Sequence, residues 1–208
     1  LCVAGQAARA GDSRAVIHVA AMNWWVDEAA GREPYLARLV RTAGGGCFDV
    51  VTLRILNDTQ SLWDVTARAR AILEGAGWPD KTIWLETNAT PTLDALEGVE
   101  TPLFGITPAQ QADFIVQAAA ISYAAGIERV AVIRLVDAHD DDSPWGLVRQ
   151  DGSRRPAFET YRTVIDLFDA PPTVTRYESP DADLIVLEQA SRALYVMWAR
   201  RTTPVQFQ

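Results

Sequence analysis

Four short apolar runs, at 15–21, 48–55, 82–85 and 129–136, alternate along the chain with segments of helical period, and few folds accept that order. The pattern predicts helices ending near residue 9 and over 34–42, 62–74, 108–125 and 156–168. Pro34, Pro108 and Pro156 suit first-turn positions, where a missing N–H is no loss, and Thr107 suits an N-cap. Gly77 and Gly126 stand where helices should stop. Strands separated by helices require crossovers and parallel pairing, so the fold class is α/β. Pro171-Pro172 breaks the rhythm, and beyond it the period shortens toward two, which predicts antiparallel strands over 173–177, 184–187 and 193–198. A first domain over 1–170 and the beginning of a second over 171–208 are expected.

The chain has 208 residues, 49% of them hydrophobic, enough to bury a sizeable core. Its longest apolar run, 115–125, is interrupted by Gln117 and Ser122 and falls short of the roughly 20 residues that span a bilayer. A net charge of -8 and the lack of a basic cluster interleaved with aromatics argue against a nucleic-acid surface, and an acidic surface suits neutral partners. Cys2 and Cys47 lack metal-ligand spacing and read as free, buried thiols rather than as a disulfide. Helix-like sequence begins at once from Leu1, and strand-like sequence at 194–198 and 204–208 stops before a unit closes, so a longer parent chain is expected.

A doubly wound nucleotide-binding fold needs a glycine-rich turn between a strand and the next helix, but Gly44, Gly45 and Gly46 follow a helix and precede a strand. In a (β/α)8 barrel the chemistry sits just beyond the strand C-termini, where this chain puts Asn23, Trp24 and Trp25, Asn57 and Asp58, Glu86 to Asn88, and the stretch from Asp137 to Trp145. Glu86 stands out, because it ends an apolar strand. Burying its charge unpaired would cost several kcal/mol, on the order of a lost polar group or more, so it must be paired, solvated in a cleft or chemically employed. Strand alternation puts Trp84, Glu86 and Asn88 on one side.

Three pieces, FDVVTLRI at 48–55, KTIWLETN at 81–88 and WGLVRQDGSRRPAFETYR at 145–162, make the chain resemble the clan A glycoside hydrolases, a (β/α)8 group that includes cellulase-like and β-xylosidase-like enzymes. The resemblance covers about 7–168. It implies the C-terminal half of a TIM barrel, followed over 171–208 by the start of an accessory antiparallel β-sandwich. It further implies that Glu86, ending the seventh strand, is the nucleophile of a retaining glycosidase, with the acid/base Glu ending a fourth strand upstream. Retaining enzymes set these two carboxyls about 5–5.5 Å apart. The clan's sixth strand commonly ends in His-x-Tyr, whose Tyr hydrogen-bonds the nucleophile; the aligned residues here are Arg54-Ile55-Leu56. Arg54 either replaces that Tyr as a positive neighbour of Glu86 or fills a rearranged interior. The eighth strand lacks the clan's terminal Trp and has Arg134-Leu135-Val136-Asp137 instead.

The implied substrate is a β-linked oligosaccharide or polysaccharide, hydrolysed without metal or organic cofactor. Apolar sugar faces stack on aromatic planes, so Trp24, Trp25 and Trp145 are candidate contacts, with Asn23, Arg54, Asn88 and Asp137 as polar ones. Trp63, Trp78 and Trp198 read as packing residues, His18 as a strand residue without a catalytic part, and His139 to Asp142 as a solvated acidic loop rather than a cation site. The resemblance favours a secreted or cell-envelope location. The alternative is a non-catalytic carbohydrate-binding or scaffold protein built on a degenerate glycosidase barrel.

Overall fold

The computed structural model describes residues 1–94, 105–138, 144–168 and 173–200; the acidic stretch from His139 to Asp142 and the strand-like 204–208 lie outside them. The chain divides into two compact units, Leu1–Asn88 with Ala125–Ile133, and Ala89–Ala124 with Arg134–Gln208.

The first unit holds β1 (His18–Asn23), β2 (Val50–Leu56), β3 (Thr82–Asn88) and β4 (Arg129–Val132) in one parallel sheet of order β1-β2-β3-β4. Each strand lies beside its sequence neighbour. The order therefore has no reversal, the feature that defines a doubly wound sheet. One face of the central strands, Val51, Leu53 and Ile55 with Ile83, Leu85 and Thr87, is buried. Helix α4 (Thr59–Gly75) packs on β2 and contributes Leu62, Val65, Ala69 and Leu73 to this core. Each such aliphatic side chain contributes roughly 1.5–3 kcal/mol on full burial. Asp58 starts α4 by accepting from the amides of Gln60 (3.0 Å) and Ser61 (3.2 Å). The other face of β2 and β3, carrying Thr52, Arg54, Trp84 and Glu86, is only half-buried.

Several details of this unit differ from the sequence reading. Helix α1 (Cys2–Gly11) is tied to the turn at 45–47 by a Cys2–Cys47 disulfide, so the two thiols are not free. A cross-link over 45 residues is typically worth about 2–4 kcal/mol. Residues Trp24–Ala29 form a short helix, α2, where a loop was expected. Its Asp27 is buried and accepts from Arg32 (3.0 Å) and from the backbone amide of Tyr35 (2.8 Å), which opens α3 (Tyr35–Thr42). Burial pushes the Asp27 carboxyl up, but Arg32, the Tyr35 amide and Arg38 outweigh it and hold it below its ordinary value. Strand β4 ends at Val132 rather than 136 because its partner runs out: Ile133 still donates to Thr87, and β3 stops at Asn88.

The second unit contains α5 (Pro108–Ala124), α6 (Pro156–Leu167) and the antiparallel sheet β5 (Thr173–Glu178), β6 (Ala182–Glu188), β7 (Ala193–Ala199). Thr107 caps α5 through a reciprocal box in which its hydroxyl accepts from the Gln110 amide and the Gln110 side chain accepts from the Thr107 amide. Helices α5 and α6 pack on each other, and α5 also meets all three strands. Ile185 and Leu187 of β6 are fully buried. Residues 134–137 pair with 146–148 within this unit. No described helix is long and apolar enough to cross a membrane.

Candidate functional site

The in-register pairs Asn23↔Arg54, Arg54↔Glu86 and Glu86↔Ala131 set four residues in one row across the C-terminal part of the parallel sheet. Adjacent strands lie about 4.8 Å apart, within reach of an Arg–Glu contact. Arg54 makes it: its Nε donates to Glu86 Oε2 at 2.8 Å, and its Nη2 lies 2.7 Å from the same oxygen. Neither contact uses Oε1. Both side chains remain partly exposed, at 32% and 22%. The pair is neither sealed in the core nor loose in water.

Lower on the same face Trp84 sits between two neighbours, with the His18 ring edge-on at 4.3 Å and the Arg129 guanidinium over its plane at 4.8 Å. His18 is thus a packing residue. The sequence reading missed this stack, although the shared parity of Trp84 and Glu86 pointed to the same face.

Asn23 ends β1, and its Oδ1 is buried without a hydrogen-bond partner among the described residues. A cavity of about 300 Å³ opens beside it, lined by Asn23, Trp24, Asp27 and Tyr35 among others. The two tryptophans that follow differ. Trp24 is 3% exposed, donates from Nε1 to Glu28 at 3.2 Å and carries the Arg68 guanidinium over its ring, whereas Trp25 is 61% exposed. Of the two, Trp25 has an accessible ring.

Asn88, expected to line a cleft, is fully buried; its amide donates to the Ile133 carbonyl and its own carbonyl accepts from the Asn57 amide. It fastens the end of β3 to its neighbours rather than facing solvent.

Asp137 and Trp145 belong to the second unit. Asp137, expected among the polar contacts to substrate, is instead buried in a cluster of ions. Its Oδ1 accepts from the Gly146 amide and its Oδ2 lies 2.8 Å from Arg155 Nη1. Arg155 also donates to Asp94 (2.8 Å) and to the Gly146 carbonyl (2.7 Å), and Arg149 grips both Asp94 oxygens at 2.8 and 3.2 Å. Gly146 is required here, because a Cβ would come within 2.5 Å of the Asp137 nitrogen and 2.6 Å of the Val148 oxygen. The WGLVRQDGSRRPAF stretch is therefore read by its own architecture: it folds back on itself, buries two arginines and launches α6 from Pro156. Trp145 is half-buried. Among the described residues no group of three or more His, Cys, Asp or Glu is placed to hold a metal ion.

Compared with solved structures, the chain is similar to a glucosidase from Croceicoccus marinus, with a TM-score of 0.59 and 15% identity over 90% of this chain and 42% of that one. It is also similar to a family 39 glycoside hydrolase from the gut symbiont Bacteroides cellulosilyticus, with a TM-score of 0.58 and 12% identity over 81% of this chain and 37% of that one. The fold is that of part of a glycoside hydrolase. At such identities the likeness is one of fold, and the chain spans about two fifths of the length of each of these enzymes. No protein-family model and no curated protein matches the sequence.

Proposed function

We propose that residues 1–170 form the C-terminal half of a (β/α)8 TIM barrel of the clan A kind, that 171–208 begin an accessory β-sandwich, and that the whole protein hydrolyses β-linked saccharides with retention. The observation that carries this reading is Glu86: a carboxylate at the C-terminal end of β3, on the half-open face, held through one oxygen by Arg54. In the first step Glu86 attacks the anomeric carbon while the bond to the leaving oxygen breaks, that oxygen keeping the electron pair and receiving a proton from an acid on a preceding strand of the barrel. In the second, water attacks the same carbon, gives its proton to the same group and frees Glu86. Asn23, with an oxygen unpartnered among the described residues, and Trp25, with an exposed ring, are the substrate contacts best supported by their surroundings. The Cys2–Cys47 disulfide suits an oxidising, secreted or envelope compartment.

An activated fluoroglucoside or fluoroxyloside tests the reading on the full-length protein. It should trap a glycosyl ester, and peptide mapping should place the sugar on Glu86. A label on another residue, or hydrolysis with inversion, defeats the mechanism. One observation favours the second reading, a non-catalytic carbohydrate-binding or scaffold protein: the Arg54–Glu86 pair is also what a purely structural interior would use. Absence of turnover on every glycoside would decide for it.

A further inference from the structure

We infer that Arg54 is a positioning residue that divides the two oxygens of Glu86 between holding and attacking, and that it serves the release of the sugar more than its capture. This rests on Glu86 being the nucleophile. Arg54 places Nε at 2.8 Å and Nη2 at 2.7 Å on the same atom, Oε2. Arg149 on Asp94 and Arg9 on Asp49 spread over both oxygens of their carboxylate. Arg176 also puts two nitrogens on one oxygen of Asp183, but there Arg200 takes the other oxygen. The grip on Glu86 is end-on, and it is set by register, since Arg54 is the direct cross-strand partner of Glu86.

The atom left outside the grip, Oε1, is the one to bond the anomeric carbon. As that bond forms and the leaving group departs with its electron pair and a proton, Glu86 becomes a neutral ester whose carbonyl oxygen is Oε2. The two contacts from Arg54 lose their charge assistance. In the second step water attacks the anomeric carbon, its proton passes to the group that donated one before, and the electron pair of the carbon–Oε1 bond returns to Glu86. Negative charge reappears beside a guanidinium already in place. An interaction that strengthens along a step accelerates it, and one that weakens does not. The pair is partly shielded from water, where charge-assisted contacts count for more than in bulk solvent. Arg54 thus makes Glu86 a better leaving group without making it a better nucleophile.

The two steps separate experimentally with the activated fluoroglucoside or fluoroxyloside on the full-length protein, because inactivation reports capture and reactivation after removal of excess reagent reports release. In Arg54→Met, reactivation should slow roughly 10 to 100-fold, as expected for lost hydrogen bonds to a charged group. Inactivation should not slow and can rise, since the lost contact weakens in that step. Arg54→Lys keeps the charge but not the two-pronged grip, and should recover part of the reactivation rate; if the Met variant fails to fold, the ratio of the two rates in the Lys variant carries the same test. Parallel loss of both rates, or no change in either, with the label still on Glu86, overturns the role of Arg54 and leaves the nucleophile standing. A label elsewhere, or none with either reagent, removes both.

Discussion

Two carboxylate–guanidinium sites, one in each unit, use the same chemical parts to opposite ends. Asp94, Asp137, Arg149 and Arg155 are all buried, both Asp94 oxygens are taken, and Arg155 links the two acids. Among the described residues two acids face two arginines, and Gly146 leaves no room for a larger residue. Around Glu86 a single arginine takes a single oxygen, and both side chains keep contact with solvent. A saturated, sealed cluster has no valence left for a substrate. A reacting carboxylate needs an oxygen to spare, and of the two sites Glu86 is the one whose described contacts leave it.

The sharpest way to break this contrast is to mutate both. Glu86→Gln keeps the size and removes the attacking charge, so glycosidase turnover of the full-length protein should fall by several orders of magnitude with little change in melting temperature. Asp94→Asn should do the reverse. It leaves two buried guanidinium groups facing one carboxylate, a loss of about 3–5 kcal/mol in urea unfolding, while kcat/KM of the folded fraction is retained. If Glu86→Gln costs stability and not turnover, Glu86 is the structural residue.

The contrast was only half legible in the sequence. Strands β2 and β3, helix α5 and the Pro156 start of α6 follow local rules, periodicity and capping, and they lie close to where those rules put them. Glu86 was legible because a charge at the end of an apolar strand violates the same rules. The partners were not. Arg155 reaches Asp94 across 61 residues and Arg149 reaches it across 55, and no period encodes such a pairing. Asp137 looked free for the same reason, and Cys2 and Cys47, 45 residues apart, looked unlinked. Helix α2 escaped because it is six residues long, too short for a helical period to show.

A third cluster lies between the two extremes and sharpens the contrast through pH. Asp183 on β6 is buried, yet Arg200 reaches it from β7's end at 2.6 and 2.8 Å and Arg176 from β5 at 3.0 Å. Burial pushes this carboxyl up, but the hydrogen bonds from Arg200 and Arg176 outweigh burial and hold it below its ordinary 3.8. The same contacts hold Arg200 well above its own usual value. A depressed carboxyl adds stability that is complete above the unfolded value of about 3.9 and is lost as pH falls through the lower folded value. The gap in urea midpoint between the native protein and Asp183→Asn should therefore be constant near neutrality and narrow as pH falls below the unfolded value. A gap independent of pH would mean that Asp183 contributes shape and not charge.

The smallest expected effect falls on the two adjacent tryptophans, which repeat the contrast in aromatic form. Trp24 is locked between Arg68 and Glu28, and Trp25 presents its ring to solvent. Removing an exposed side chain that supports no buried contact changes stability by no more than about 0.5 kcal/mol. If a sugar face stacks on an aromatic ring as strongly as one ring does on another, about 0.5–1.5 kcal/mol, Trp25→Ala should raise KM by roughly two- to tenfold. A ring that contacts substrate equally before and during reaction leaves kcat unchanged. A fall in kcat at constant KM would place Trp25 in the chemistry rather than at a subsite, and no kinetic change at all would make its exposure incidental.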